Sequence, residues 1–317
     1  EDPGSGTSHF TELELASSGT VTFASGVVVT EDIVNNLSSE PVNVTNLYPV
    51  GTATINDGLA SEGEWPWDLS IFENWTLQHD LSIAGNYYLT EDALDINGLN
   101  LNVSGTIYHS GGTLNVNTGA VNIAGDYLIQ ESEGAASSGY LWMTNPTDQV
   151  TVAGNFVMDS LRHDGELTAG LLEIKGNFTQ RSNSTGSYSY RNFGTSGSHR
   201  VLLSGVDQTV SFEDPSSGNS HFTELELSSS GTVTFITKVP VIKELISSLS
   251  NAPVDSKNLY PAGTALINGG IWNWDLGINE NWTLQQDETI GGDLHIYNGA
   301  YDENVYTLTV NGSIINH

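Results

Sequence analysis

Two tryptophans framed by acids are the place where this sequence could carry chemistry. Glu62, Glu64 and Asp68 surround Trp65 and Trp67 in the run EGEWPWDLS. Paired carboxylates hydrolyse glycosidic bonds and indole rings stack on sugar faces, so the run has the composition of a polysaccharide site. Its counterpart, IWNWDLG from Ile271, keeps Trp272, Trp274 and Asp275 but has neither glutamate. An enzyme could tolerate one dead copy, but a pair of structural rings explains the loss more simply. The alternation W-x-W would put both rings of a pair on one face of a strand, against the core or a lateral loop. Trp65, Trp67, Trp272 and Trp274 are thus candidate carbohydrate-stacking residues, weighed against a structural role. No catalytic residue is expected.

Other reactive groups are scarce or badly spaced. The eight histidines, at 9, 79, 109, 163, 199, 221, 295 and 317, form no HExxH or other paired metal spacing. There is no G-x-S-x-G nucleophile elbow. With Cys 0, disulfides, thiolate nucleophiles and cysteine-ligated metals are excluded. Asp, Asn and Gly at turns supply oxygen ligands for Ca²⁺. A weak calcium requirement is therefore one expectation, although GGDLHIYNG at Gly291 is a poor echo of a calcium β-roll and no ligand set can be named. No cofactor is required by any motif.

The charge balance narrows the partners. Lys+Arg 8 against Asp+Glu 38 gives a net charge of −30, and the first base in the chain is Arg162. Such a surface repels phosphate backbones and anionic membranes, so nucleic acid and direct membrane insertion are excluded as partners. It also argues against enzymes that grip polyuronates with Arg or Lys. The absence of cysteine and of any long apolar run fits an exported protein, and the expected location is extracellular or on the cell surface. Aromatic residues at 9% and hydrophobic residues at 38% oppose disorder.

Internal repetition reveals the scaffold that carries these residues. EDPGSGTSHFTELELASSGTVTF from Glu1 returns as EDPSSGNSHFTELELSSSGTVTF from Glu213, an offset of 212. NLYPVGTATIN from Asn46 returns from Asn258 as NLYPAGTALIN. After a five-residue deletion, ENWTLQHD from Glu73 returns at Glu280 with offset 207. The chain reads as one long unit, 1–212, followed by the first half of another, 213–317.

A finer period lies inside the unit. SIAGNYYLT, NVSGTIYHS, NIAGDYLIQ, TVAGNFVMD and EIKGNFTQR centre on Gly85, Gly105, Gly125, Gly154 and Gly176, with a looser sixth instance at Gly205. Their spacings of 20, 20, 29, 22 and 29 match rungs that each hold two or three short strands. One rung cannot bury its apolar face alone, whereas stacked rungs share a core and pair their backbones. The expected fold is all-β, an elongated parallel β-helix (β-solenoid) with rungs of about 20–30 residues. Tandem β-sandwich modules are the alternative. Asn and Thr stacks are expected in the core beside Val, Ile and Leu. The best helix candidates are KVPVIKELISSLS from Lys238 and its counterpart EDIVNNLSS from Glu31.

Rungs such as GTLNVNTGAVNIAGDYLIQ, followed by VLLSGVDQTVSFEDPSSGNSHFTELEL, resemble the long repeats of bacterial secreted surface proteins, the filamentous-haemagglutinin-like adhesins and related cell-surface filament arrays. The resemblance implies a right-handed parallel β-helix and a role in adhesion, surface architecture or fibre formation, and transfers no catalytic residue. The expected function is a non-enzymatic extracellular structural and adhesive repeat protein, a stiff stalk or filament on a microbial surface. A carbohydrate-binding module using tryptophan stacking is the alternative, and a polysaccharide-degrading β-helix enzyme a more distant one. The expected partner is the protein itself, stacked end to end, with a polysaccharide or cell-surface ligand as a further candidate.

Overall fold

A computed structural model describes residues 9–57, 63–183 and 189–317. Every paired strand in it is parallel to its neighbours, and the strands stack into a β-solenoid of about 15 turns. Among the described residues there is no α-helix, only 3-10 turns such as Val44–Asn46 and Ser256–Asn258. The all-β solenoid expectation holds.

A typical rung shows how the sequence makes the turn. Leu81–Ile83 forms a first face, Tyr87–Leu89 a second and Ala93–Asp95 a third. The next rung repeats them as Asn100–Val103, Ile107–His109 and Thr113–Asn115. The strands pair in register, Leu81 with Leu101 and Tyr87 with Ile107, so like side chains stack in columns. The inward column of the first face reads Leu81, Leu101, Val121, Val150, Leu172, Val201 and Leu225, all buried. On the second face Tyr127, Phe156 and Phe178 stack inward and meet Phe193, Phe212 and Phe222 in an aromatic cluster. Each β-branched or aromatic residue buries one face on a pleated surface, which is why period-two alternation suffices to specify the strands.

The glycine of each rung marks the corner between the first two faces. Gly105 N donates to Gly85 O at 3.0 Å, Gly125 N to Gly105 O at 2.9 Å, and Gly154 and Gly176 continue the column at 2.9 Å. A Cβ on Gly125 would lie 2.5 Å from Gly105 O, so the corner is too tight for any side chain. The next residue is polar in the five regular rungs, though Val206 follows Gly205, and the polar residues of this corner bond upward. The Asp68 carboxylate accepts from Asn86 N, Asn86 Oδ1 from Thr106 N, and Asp126 Oδ1 from Asn155 N at 2.6–2.9 Å. Asn155 Oδ1 then accepts from Asn177 N, and Asn177 Oδ1 from Thr209 N. Asn and Thr stacks run along a half-buried corner and, as with Asn102 and Asn122, on the outer face, while Thr195 and Thr223 stack in the interior with their hydroxyls 2.8 Å apart.

Two local expectations change. Lys238 and Glu31 do not start helices: Val239–Ser247 and Val27–Asn35 are nine-residue strands sandwiched between neighbouring rungs. Backbone pairing on two sides outweighs the weak helical pattern of VIKELI. The two halves of the sequence repeat also repeat in structure. Phe10–Leu15, Val27–Asn35 and Leu47–Pro49 correspond to Phe222–Leu227, Val239–Ser247 and Leu259–Pro261, including the register shift after the phenylalanine and the left-handed Asn43 and Asp255.

Candidate functional site

The tryptophan pairs sit at the first corner of their rungs. Trp65 closes the two-residue strand Glu64–Trp65, and its ring points inward, 1% exposed. Its Nε1 donates to Asp68 O at 2.9 Å, tying the strand to the turn that follows. Trp67 lies beyond the strand, half-buried, and meets Trp65 edge-on with centroids 5.4 Å apart at 88°. Trp272 and Trp274 repeat this arrangement at 5.1 Å and 81°, with Trp272 Nε1 on Asp275 O at 2.9 Å. Neither pair lies on one face of a strand, because the strand ends at the first ring of each and the chain turns before the second. Trp65 and Trp272 offer no face to a sugar; Trp67 and Trp274 offer part of one.

The acids of the motif are similarly occupied. Asp68 accepts from Asn86 N at 2.7 Å and Tyr88 Oη at 3.3 Å, and Asp275 accepts from Asp293 N at 2.8 Å. Glu64 is exposed, and Glu62 lies outside the described residues. The structure therefore brings Trp and Asp together as a corner clasp, in which the indole fastens one side and the carboxylate the other. A shallow groove of about 320 Å³ opens beside Trp274, lined by Pro253, Asp255, Lys257, Asn273 and Asp275. It combines an indole with two carboxylates and one amine.

The junction between the two units is the second constellation. Arg200–Leu203 is a strand of the last rung in the first unit, and it pairs with Phe222–Leu227 of the second. Arg200 reaches Glu224 at 3.1 Å and Glu226 at 3.3 Å, while Lys243 Nζ meets Glu224 at 2.5 Å. Partial burial raises the Glu224 pKa, but the bonds from Lys243 and Arg200 outweigh it and hold it below the ordinary carboxylate value. Glu280 adds a brace, accepting from Ser217 N and Tyr260 Oη at 2.9 Å, and from the Ser217 hydroxyl. Two of the chain's eight bases thus converge on one inter-unit strand pair. Sequence reasoning missed this clasp; its signal was an arginine placed directly before VLLSG in a chain nearly devoid of bases.

Five of the eight histidines are buried: His109, His163, His199, His221 and His295. His109, His163 and His199 are wholly buried, and loss of hydration pushes their pKa values down to about 3, 4 and 3. His163 is a neutral imidazole with assigned roles: Nδ1 donates to Leu161 O at 2.9 Å and Nε2 accepts from Leu141 N at 3.1 Å. His221 lies between Asn219 O and Thr195 O, and its counterpart His9 is exposed. His199 has no hydrogen-bond partner on either nitrogen among the described residues and packs edge-on against Phe193. Among the described residues, no group of three or more His, Asp or Glu is placed to hold a metal ion. None of their helices is long and apolar enough to cross a membrane. Comparisons with protein-family models, with curated proteins and with solved structures found no match.

Proposed function

We propose that this chain is a segment of a non-enzymatic extracellular structural and adhesive protein, a stiff stalk or filament built from tandem solenoid units on a microbial surface. The observation that supports the reading is the unbroken strand stack at the unit junction. The first face runs from Glu64–Trp65 through Arg200–Leu203 into Phe222–Leu227 and Leu259–Pro261 without a linker. A stack that crosses its own repeat boundary lengthens with each copy and needs no site to be preserved. From Phe10–Leu15 to Phe222–Leu227 the chain climbs about ten strand spacings, roughly 48 Å at 4.8 Å each. The acidic surface keeps such rods apart in solution. Immunogold electron microscopy of the source cells tests the reading: label on thin surface fibres is the expected result, and label confined to the cell interior contradicts it.

The groove beside Trp274 favours a second reading, a carbohydrate-binding module. A glycan array probed with the protein and its Trp274→Ala variant separates the two: retained glycans lost on substitution favour the module, and a blank array favours the stalk alone.

A further inference from the structure

Two tyrosines on neighbouring rungs face outward with their rings in contact. Tyr88 of Tyr87–Leu89 pairs in register with Tyr108 of Ile107–His109. Their ring centroids are 5.1 Å apart and their planes lie 9° from parallel. Tyr108 is 40% exposed and Tyr88 half-buried, so a reagent in solvent reaches the pair through Tyr108. Tyr88 Oη donates to Asp68 Oδ2 at 3.3 Å, which sets a carboxylate beside the phenol. The same outward position holds Ser70 in the rung below and Leu128 in the rung above, so the stack is a pair and not a column. It belongs to the first unit: at the offset of 207 these positions hold His295 and Ile315. With no cysteine in the chain and no lysine before Lys175, disulfides and lysine-derived links are closed to these rungs.

We propose that Tyr88 and Tyr108 are an oxidative cross-linking site, joined as a dityrosine when hydrogen peroxide acts on them through a peroxidase. Each phenol gives up one electron and one proton. The Tyr88 proton passes along its hydrogen bond to Asp68 and on to solvent, and the Tyr108 proton goes to water directly. The two phenoxyl radicals then form a carbon–carbon bond between the ring positions next to their oxygens. The hydrogen on each bonded carbon moves as a proton to the phenolic oxygen, which restores both rings. The peroxide takes up two electrons and two protons and leaves as two waters, so the protein loses two hydrogens in all. In-register pairing holds the two rings in contact before either is oxidised, which favours this coupling over collision between molecules. Neighbouring tyrosines are placed against it: Tyr87 and Tyr127 are wholly buried, and Tyr140 lies against the His163 ring at 5.1 Å. The product ties two adjacent rungs covalently without cysteine or lysine.

The coupling needs only the rung register, and it stands whether the chain is a stalk or a sugar-binding module. The test treats the full chain, kept dilute, with hydrogen peroxide and a haem peroxidase. The expected product is a monomer that has lost two hydrogens and shows the blue emission of dityrosine. A glutamate-specific protease cuts after Glu91, between the two tyrosines. The link then appears as one species joining the peptides on either side, and fragmentation places it at Tyr88 and Tyr108. Tyr88→Phe and Tyr108→Phe keep the rings and should each lose the link within the monomer. Tyr87→Phe, which removes a hydroxyl without a hydrogen-bond partner among the described residues, should keep it. Thermal melting verifies that each variant is folded. A link placed at other tyrosines, links between molecules alone, or a monomer link that persists in Tyr108→Phe overturns the proposal. So does an unlinked chain in a mixture where added free tyrosine couples.

Discussion

Glu288 accepts the backbone N–H of Ile267 at 3.1 Å, and it does so from the position that Leu81 fills in the first unit. In the first unit the equivalent Ile55 offers its carbonyl to Gly63 N at 2.9 Å across the loop that the second unit lacks. In the second, Gln286 Nε2 donates to Ile267 O at 2.6 Å and to Glu288 Oε1 at 3.1 Å. Two side chains thus stand in for a deleted strand partner, satisfying both polar groups of one buried residue. The exchange of Leu81 for Glu and of His79 for Gln belongs with the five-residue deletion.

This pair sets a first expectation. Glu288→Leu leaves the Ile267 N–H without an acceptor and should cost about 1–3 kcal/mol. Glu288→Gln keeps an acceptor and removes the charge. Burial raises the Glu288 pKa, so the folded state favours the protonated acid, and its contribution is present below the unfolded pKa and lost as pH rises through the folded one. The Gln variant should therefore gain on the parent as pH rises from about 4.5 toward 7. Urea unfolding at the two ends of that window measures the difference.

The glycine column sets a second. Gly125→Ala would push a methyl group to 2.5 Å from Gly105 O and should destabilise by about 1–3 kcal/mol or more, the usual cost of overpacking. Gly218→Ala meets nothing within 4 Å at an ordinary φ, and should be neutral or stabilising by up to about 1 kcal/mol. Thermal melts of the two variants side by side separate corner packing from a general intolerance of alanine.

Buried imidazoles set a third. The folded pKa of His199, at about 3, lies below the unfolded value near 6.5. Its neutral form is favoured on folding, so stability is fully present above pH 6.5 and falls as pH drops toward the folded value. His199→Phe, which forfeits no hydrogen bond, should raise stability at pH 5 by about 2 kcal/mol more than at pH 8. Equal effects at the two pH values would contradict the assignment. His163→Phe should show a similar pH difference, because burial also pushes the His163 pKa down to about 4, but from a lower baseline at both pH values, since it strands the Leu141 N–H.

The solenoid was legible because its signals are local and recur: a glycine every 20 to 29 residues, a polar residue after it, and alternation on either side. The corner ladder through Asn86, Asp126 and Asn155 was half visible, as the polar residue after each glycine, but its upward bonds depend on register. Val239–Ser247 resembled a helix because VIKELI spaces its apolar residues by three and four, and only the rungs on either side decide otherwise. The tryptophans were visible as candidates, yet where Trp65 and Trp67 point depends on where a two-residue strand stops. Arg200, Gln286 and Glu288 could not be interpreted from sequence, since each answers a backbone or charge that the fold brings in from another rung.

The central claim is that repeat units continue one another as a single rigid stack. Chains carrying one and a half, two and a half and three and a half units, compared by small-angle scattering at one salt concentration, test it most directly. The account predicts that the maximum dimension grows by roughly 48 Å for each added unit, with a constant cross-section. Growth well below that increment, or a cross-section that widens as units are added, would show units folding back on one another and would contradict it.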